Sequence, residues 1–154
     1  MKKQPNSRMC FTCGEENPAG VHVRYYEQED GSVLARFTGQ DYHQGYPNRM
    51  HGGVIAAILD ETIGRAIMAR GVLRIWGVTK EIRVRYRQPV PLGVELTAVG
   101  RITAEDERIF EGTGELRLAD GTVAAEAHAK YRKLDMEQIG DFDPQREKWA
   151  VRAK

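Results

Sequence analysis

Three shortages bound this chain. It has only two cysteines in 154 residues, which excludes the disulfide framework of a small secreted domain. Its 23 basic and 22 acidic residues leave a net charge of +1. That balance argues against nucleic acid as a partner, because a phosphate footprint needs clustered positive charge. No apolar run approaches the ~20 residues of a membrane helix. The basic start Met1–Arg8 is followed only by Met9-Cys10-Phe11, too short for the apolar core of a signal peptide. A cytoplasmic protein with no membrane partner is the expectation. At this length the chain forms one domain with a real core.

Cys10 and Cys13 are spaced C-x-x-C. A structural zinc site takes four ligands, and no second pair follows. A redox C-x-x-C belongs between a strand and a helix, whereas this one precedes the first strand. A structural role in an irregular lead-in, residues 1–19, is expected, with no metal and no cofactor. A metal shared between chains or an incidental disulfide are the alternatives.

What is present is strict alternation. Val21–Tyr26 and Ser32–Phe37 flank Asp30-Gly31 and read as a hairpin. Residues 39–50 read as a loop, and a helix runs from about Gly52 to Arg70 with Gly71 as its stop. Four more strands follow, near 78–86, 93–103, 108–118 and 123–132, each apolar on alternate positions and so buried on one face. In the first of them Val78, Ile82, Val84 and Tyr86 form the apolar side, while Thr79, Arg83, Arg85 and Arg87 share the other. The result is an α+β fold with an antiparallel sheet of about six strands around one long helix. The domain spans 20–134, and the polar tail 135–154 reads as a short helix or a frayed end.

The helix start His51-Gly52-Gly53 and the acid Asp60 carry the chemistry. Glycines at a helix start let a ligand approach bare N–H groups at the positive end of the helix dipole, which suits a developing oxyanion. Asp60 shares its helix face with Gly53, Ala56, Ala57, Gly64 and Ile67, with no cation three or four residues away. A carboxylate in that setting is costly unless paired or used. Its neighbour Glu61 has Arg65 four residues on, in the favourable order for a partly exposed ion pair. Gly52 and Asp60 stand eight residues apart on one helix, ~12 Å along its axis. One carbonyl cannot meet both, so a shared substrate requires two chains and at least a dimer.

The spacing H-G-G, six residues, Asp (His51 to Asp60) resembles the hotdog-fold acyl-CoA thioesterases of the phenylacetic-acid-degradation type. So do the strand Thr79–Tyr86 with its Gln88-Pro89-Val90-Pro91 ending and the lead-in Cys10–Val21. The likeness covers residues 10–134. It implies a hotdog sheet around a central helix, a homodimer or homotetramer, and hydrolysis of an acyl-CoA. Asp60 is then nucleophile or general base, Gly52 with Gly53 supplies the oxyanion donors, His51 shapes the loop near the thioester, and Thr79 orients water or the acid. Many relatives carry an asparagine six residues before the histidine, where this chain has Gly45. Gln44 is the replacement amide, with Asn48 nearer. Arg83 and Arg85 are candidates for the phosphates of coenzyme A, and Glu61 for a substrate contact. The alternative for the arginines is a solvated face balanced by Glu95, Glu111 and Glu115. Trp76 reads as core or interface packing or as a pocket wall, His22 and His128 as structural.

Two other readings stand beside this one. His43-Gln44-Gly45-Tyr46-Pro47 resembles the H-x-G-x-P loop of hotdog hydroxyacyl dehydratases, with His43 working alongside Asp60 or Glu61. A non-catalytic acyl-CoA-binding protein would show the same pocket in sequence.

Overall fold

The computed structural model describes residues 1–71 and 74–152. Strands β1 (Lys2–Lys3), β2 (Arg24–Glu27) and β3 (Val33–Thr38) precede helix α1 (Gly52–Gly64). Strands β4 (Ile75–Tyr86), β5 (Glu95–Glu105), β6 (Ile109–Arg117) and β7 (Val123–Asp135) follow it. The sheet is antiparallel throughout, in the order β1-β2-β3-β5-β6-β7-β4. The six strands expected are present, and a seventh, β1, comes from the lead-in read as irregular. Its two residues pair with Tyr26 and Glu27.

Helix α1 lies across β4 to β7. Its Ile55, Ile58, Leu59 and Ile63 join Phe37, Leu96, Phe110, Leu116 and Tyr131 in one buried cluster. The helix can come this close because β5 offers a glycine at the crossing. A Cβ on Gly100 would stand 2.7 Å from the Thr62 carbonyl oxygen and 2.9 Å from Ile63 Cα. The α-helix is shorter than the apolar run suggested. After Gly64 it tightens into a 3-10 turn over Arg65–Arg70, a common helix ending. Gly71 closes it at φ 87°, as its place in the sequence predicted.

β4 departs most from simple alternation. It pairs with β7 as Thr79↔Tyr131 and then Glu81↔Lys130, so Lys80 is an extra, bulged residue. A bulge resets which side chains share a face. Thr79 therefore stands level with the buried Tyr131, on the helix side. Arg83 and Arg85 stand level with His128 and Glu126, on the outer side. The face expected to hold Thr79 together with these arginines does not exist. The same bulge puts Val78, 41% exposed, on the outer side with Arg132. β4 is also the last strand of the sheet.

The tail is packed, not frayed. It opens with a 3-10 turn at Met136–Gln138. Phe142 and Trp149 then stack edge-on against Trp76, at 4.7 and 5.1 Å between ring centres. Ala150 bridges to Asn6, which ties both ends of the described chain together. Among the described residues no helix is long and apolar enough to cross a membrane.

Candidate active site

Asp60 sits in the third turn of α1 and opens into a cavity of about 540 Å³. Thr79 Oγ1 donates to its carboxylate at 2.8 Å to Oδ1 and 3.1 Å to Oδ2. Tyr131 Oη donates to the Asp60 backbone oxygen at 2.6 Å. Desolvation pushes the Asp60 carboxyl above its ordinary range, with Glu61 adding to the rise, while Thr79 and Tyr131 pull it back down. Such an acid is held in one orientation and kept as a stronger base than a solvated aspartate. Alternation alone marks Tyr131 as a core residue. Its hydroxyl, at the end of a buried ring stacked 4.8 Å from Phe110, is the sign that it braces the helix.

The helix start is a second, separate place. His51 is the N-cap, and its Nδ1 accepts the Gly53 N–H at 2.8 Å. Gly53 is thus engaged and is not the second oxyanion donor. Among the described residues nothing accepts the Gly52 N–H. Tyr86 Oη donates to the Gly52 carbonyl at 2.7 Å, and its ring stands 3.5 Å from where a Cβ on Gly52 would lie. This tyrosine, placed by alternation on a buried face, is 54% exposed at the sheet's edge. Gly52 and His51 line a cavity with Tyr86, Arg49 and Arg87, and Asp60 does not line it. The acid and the amide belong to different cavities, as their spacing on one helix required.

Gln44 and Asn48 lie on the exposed loop that leads into α1. The Gln44 side-chain oxygen accepts the Asn48 N–H at 3.4 Å, and Asn48 takes the left-handed region at φ 62°. Arg83 and Arg85 line a groove on the outer side of the sheet with Arg101 and Arg117. None of the three glutamates expected to balance them does so. Glu95 pairs with Arg24 and Arg36, Glu111 with Lys130, and Glu115 with Arg117.

His43 is excluded as a catalytic base. It is 2% exposed, its Nδ1 accepts the Gln40 N–H at 3.0 Å, and its Nε2 stands 2.8 Å from the Ala19 carbonyl. With both ring nitrogens bound to backbone it faces neither acid, and the dehydratase reading falls with it. The Glu61–Arg65 ion pair expected from their spacing is present, and Glu61 is partly exposed, at 22%. Arg65 Nε donates to its Oε1 at 2.8 Å, yet the arginine is only 4% exposed. Arg65 also donates to the Pro5 carbonyl at 2.8 Å and stacks 4.2 Å from the Tyr25 ring. The other Glu61 oxygen faces Cys10, whose Sγ is 3.2 Å away. Desolvation, with Cys10 adding to it, raises the Glu61 carboxyl to about 7 against the pull of Arg65. Cys13 holds the Cys10 thiol down, to about 4, and is itself raised. Trp76 lines the Asp60 cavity with Phe142, Trp149, Ile67 and Met68, so it is a wall of that cavity.

Residues 48–125 match the family model of the thioesterase superfamily. The acyl-coenzyme A thioesterase THEM4 of Mus musculus is 27% identical over 139 residues, covering 89% of this chain. The Rattus norvegicus protein of that name is 25% identical over 136 residues, covering 87% of this chain. The chain spans 59% and 57% of those two proteins' lengths. A solved thioesterase superfamily protein superimposes with a TM-score of 0.73 at 33% identity, over 80% of this chain and 63% of its own. A Bacillus halodurans protein solved with CoA shares the fold at a TM-score of 0.66 and 24% identity, over 74% of this chain and 75% of its own.

Proposed function

Since the chain belongs to the thioesterase superfamily, we propose that it hydrolyses an acyl-CoA to the free acid and coenzyme A. Asp60 acts as nucleophile or general base, and the Gly52 N–H of a second copy polarises the thioester carbonyl. The observation that carries this reading is the acid held by Thr79 in one cavity while the unengaged helix-start amide opens into another. A two-fold axis that brings one copy's first cavity against its mate's second completes the site. The protein is then a homodimer, or a homotetramer built from such pairs.

The chemistry suits the parts. A thioester is an activated acyl group, so a carboxylate and one aimed donor suffice. Such a donor contributes ~10²–10³ in rate. The acyl group rests against Trp76, Phe142, Trp149, Ile67 and Met68. The phosphates lie toward Arg49 and Arg87 at the helix start, where the dipole favours anions. Gln44 and Asn48 flank that end. Arg83 and Arg85, on the far side of the bulge, have no substrate contact within this site. A reducing cytoplasm suits the two free thiols.

The test is release of coenzyme A from a panel of aryl, short and medium acyl-CoAs, followed with a thiol reagent. Turnover by the parent protein and a loss of ~10²–10⁴ in Asp60→Asn are expected. Unchanged turnover in that variant overturns the assignment of Asp60. Tight binding without turnover in the parent makes the protein an acyl-CoA binder instead.

A further inference from the structure

Cys10, Cys13 and Glu61 also line the Asp60 cavity. We propose that these three side chains bind one thiophilic divalent cation, zinc(II) by preference, and so fasten the N-terminal lead-in to helix α1. Their donor atoms all lie within 4.8 Å of one another. Cys10 Sγ and Glu61 Oε2 are 3.2 Å apart. A tetrahedral zinc with its usual bond lengths spaces a sulfur and an oxygen by ~3.5 Å. The C-x-x-C alone offers two ligands, and the fold brings the third from 48 residues further along the chain (61 less 13).

The surroundings are arranged as a ligand set requires. The Cys10–Gly14 turn is closed by the Gly14 N–H on the Cys10 carbonyl at 2.7 Å. A Cβ on Gly14 would stand 2.5 Å from Cys10 backbone atoms, so the turn that presents both sulfurs depends on glycine. Thr12 Oγ1 lies 3.3 Å from Cys10 Sγ, and Ser7 Oγ lies 3.5 Å from Cys13 Sγ. Arg65 holds the other oxygen of Glu61 at 2.8 Å, which leaves Oε2 facing the sulfurs. Outer contacts of this kind fix ligands in metal sites. Calcium and magnesium prefer oxygen ligands, whereas two thiolates favour zinc.

Charge also closes. Two thiolates and one carboxylate carry −3, the buried Arg65 carries +1, and a divalent ion brings the cluster to zero. Without the ion, neutrality requires two protons on the three donors. Binding therefore exchanges two protons for one cation, with no change of net charge in a half-buried place. Three protein ligands leave the fourth position to water from the cavity.

The whole chain, reduced and freed of metal, is titrated with cobalt(II) and with zinc(II) against a chromophoric chelator. One ion per chain is expected, with a thiolate-to-cobalt charge-transfer band and tetrahedral visible bands. Affinity should rise toward ~100-fold per pH unit while both protons are being displaced. Cys10→Ser and Cys13→Ser should each abolish the charge-transfer signature or halve it. Glu61→Gln should weaken binding ~10-fold or more while its circular dichroism matches the parent. No stoichiometric uptake by the reduced protein, cobalt binding without the charge-transfer band, or unchanged affinity in Glu61→Gln overturns the proposal. So does a Cys10–Cys13 disulfide that forms in air in protein that takes up no ion once reduced. None of these readouts involves thioester turnover, so this site and the catalytic reading fail separately.

Discussion

Thr79 reaches Asp60 only because Lys80 is bulged out of register. Its hydroxyl donates to both carboxylate oxygens, at 2.8 and 3.1 Å. That hydrogen bond lowers the Asp60 pKa against the larger rise from desolvation. A general base must be ionised, so kcat/KM climbs with pH through the Asp60 pKa. Thr79→Ala should move this acidic limb to higher pH and cost up to ~10-fold in rate below it. Thr79→Ser should restore the parent profile. A pH–rate profile of the three proteins decides the matter, and superimposed limbs for parent and Thr79→Ala would show that the hydroxyl does not tune the acid.

Asp60 is a stability cost near neutral pH, where its desolvated carboxyl is ionised. Its pKa is raised in the folded state, so the folded protein holds this proton more tightly than the unfolded chain does. The stabilising contribution is complete below the unfolded pKa and is lost as pH rises through the folded one. Asp60→Asn keeps an acceptor for Thr79 and removes the desolvated charge. Thermal melts near pH 7 should show Tm raised by ~2–4 °C alongside lost turnover. The gain should shrink toward pH 3–4, where the parent's acid is protonated. A lower Tm at neutral pH would mean that the charge is compensated in the fold.

Gly52 offers an unusually clean deletion of a backbone donor. Proline is well tolerated at the first helical position. The preceding His51 already has the extended backbone, φ −60° and ψ 136°, that precedes proline. Gly52→Pro should therefore lower kcat by ~10²–10³ with little change in circular dichroism. If donor and acid come from different copies, mixing Gly52→Pro with Asp60→Asn rebuilds one intact site per mixed dimer. About a quarter of parental activity should return after random reassortment of subunits. Co-dissolved variants that stay inactive after exchange, shown by solution mass, would place both groups in one chain.

The helix-to-sheet crossing is tight at Gly100. An added methyl meets the backbone of Thr62 and Ile63 at 2.7 to 2.9 Å, and backbone cannot rotate aside as a side chain does. Gly100→Ala should cost ~1–3 kcal/mol, a fall in Tm of roughly 2–12 °C. The turn it displaces follows Asp60 directly, so kcat should fall with it. Calorimetry and turnover on one preparation test both. An unchanged Tm would show that the helix has room to lift.

Much of the architecture is local and could be read from the chain. Alternation at 33–37 and 95–98, the Asp30-Gly31 turn, the glycines opening α1 and the Gly71 stop each follow from side-chain period or backbone freedom, which neighbouring residues dictate. The Glu61–Arg65 pair is local in the same sense, since helix spacing puts a cation four residues from Glu61 and none beside Asp60. Pairing decided the rest. Lys80 is an extra residue only against β7, so no pattern within β4 could show that Thr79 turns toward the helix while Arg83 and Arg85 turn away. The His51 ring takes the Gly53 N–H through a side-chain rotamer that the motif does not specify. Glu61 meets Cys10 only because the lead-in folds back over the helix, a contact between distant segments that burial of both creates. Period and capping determined which elements form, and packing determined which side chains share a cavity.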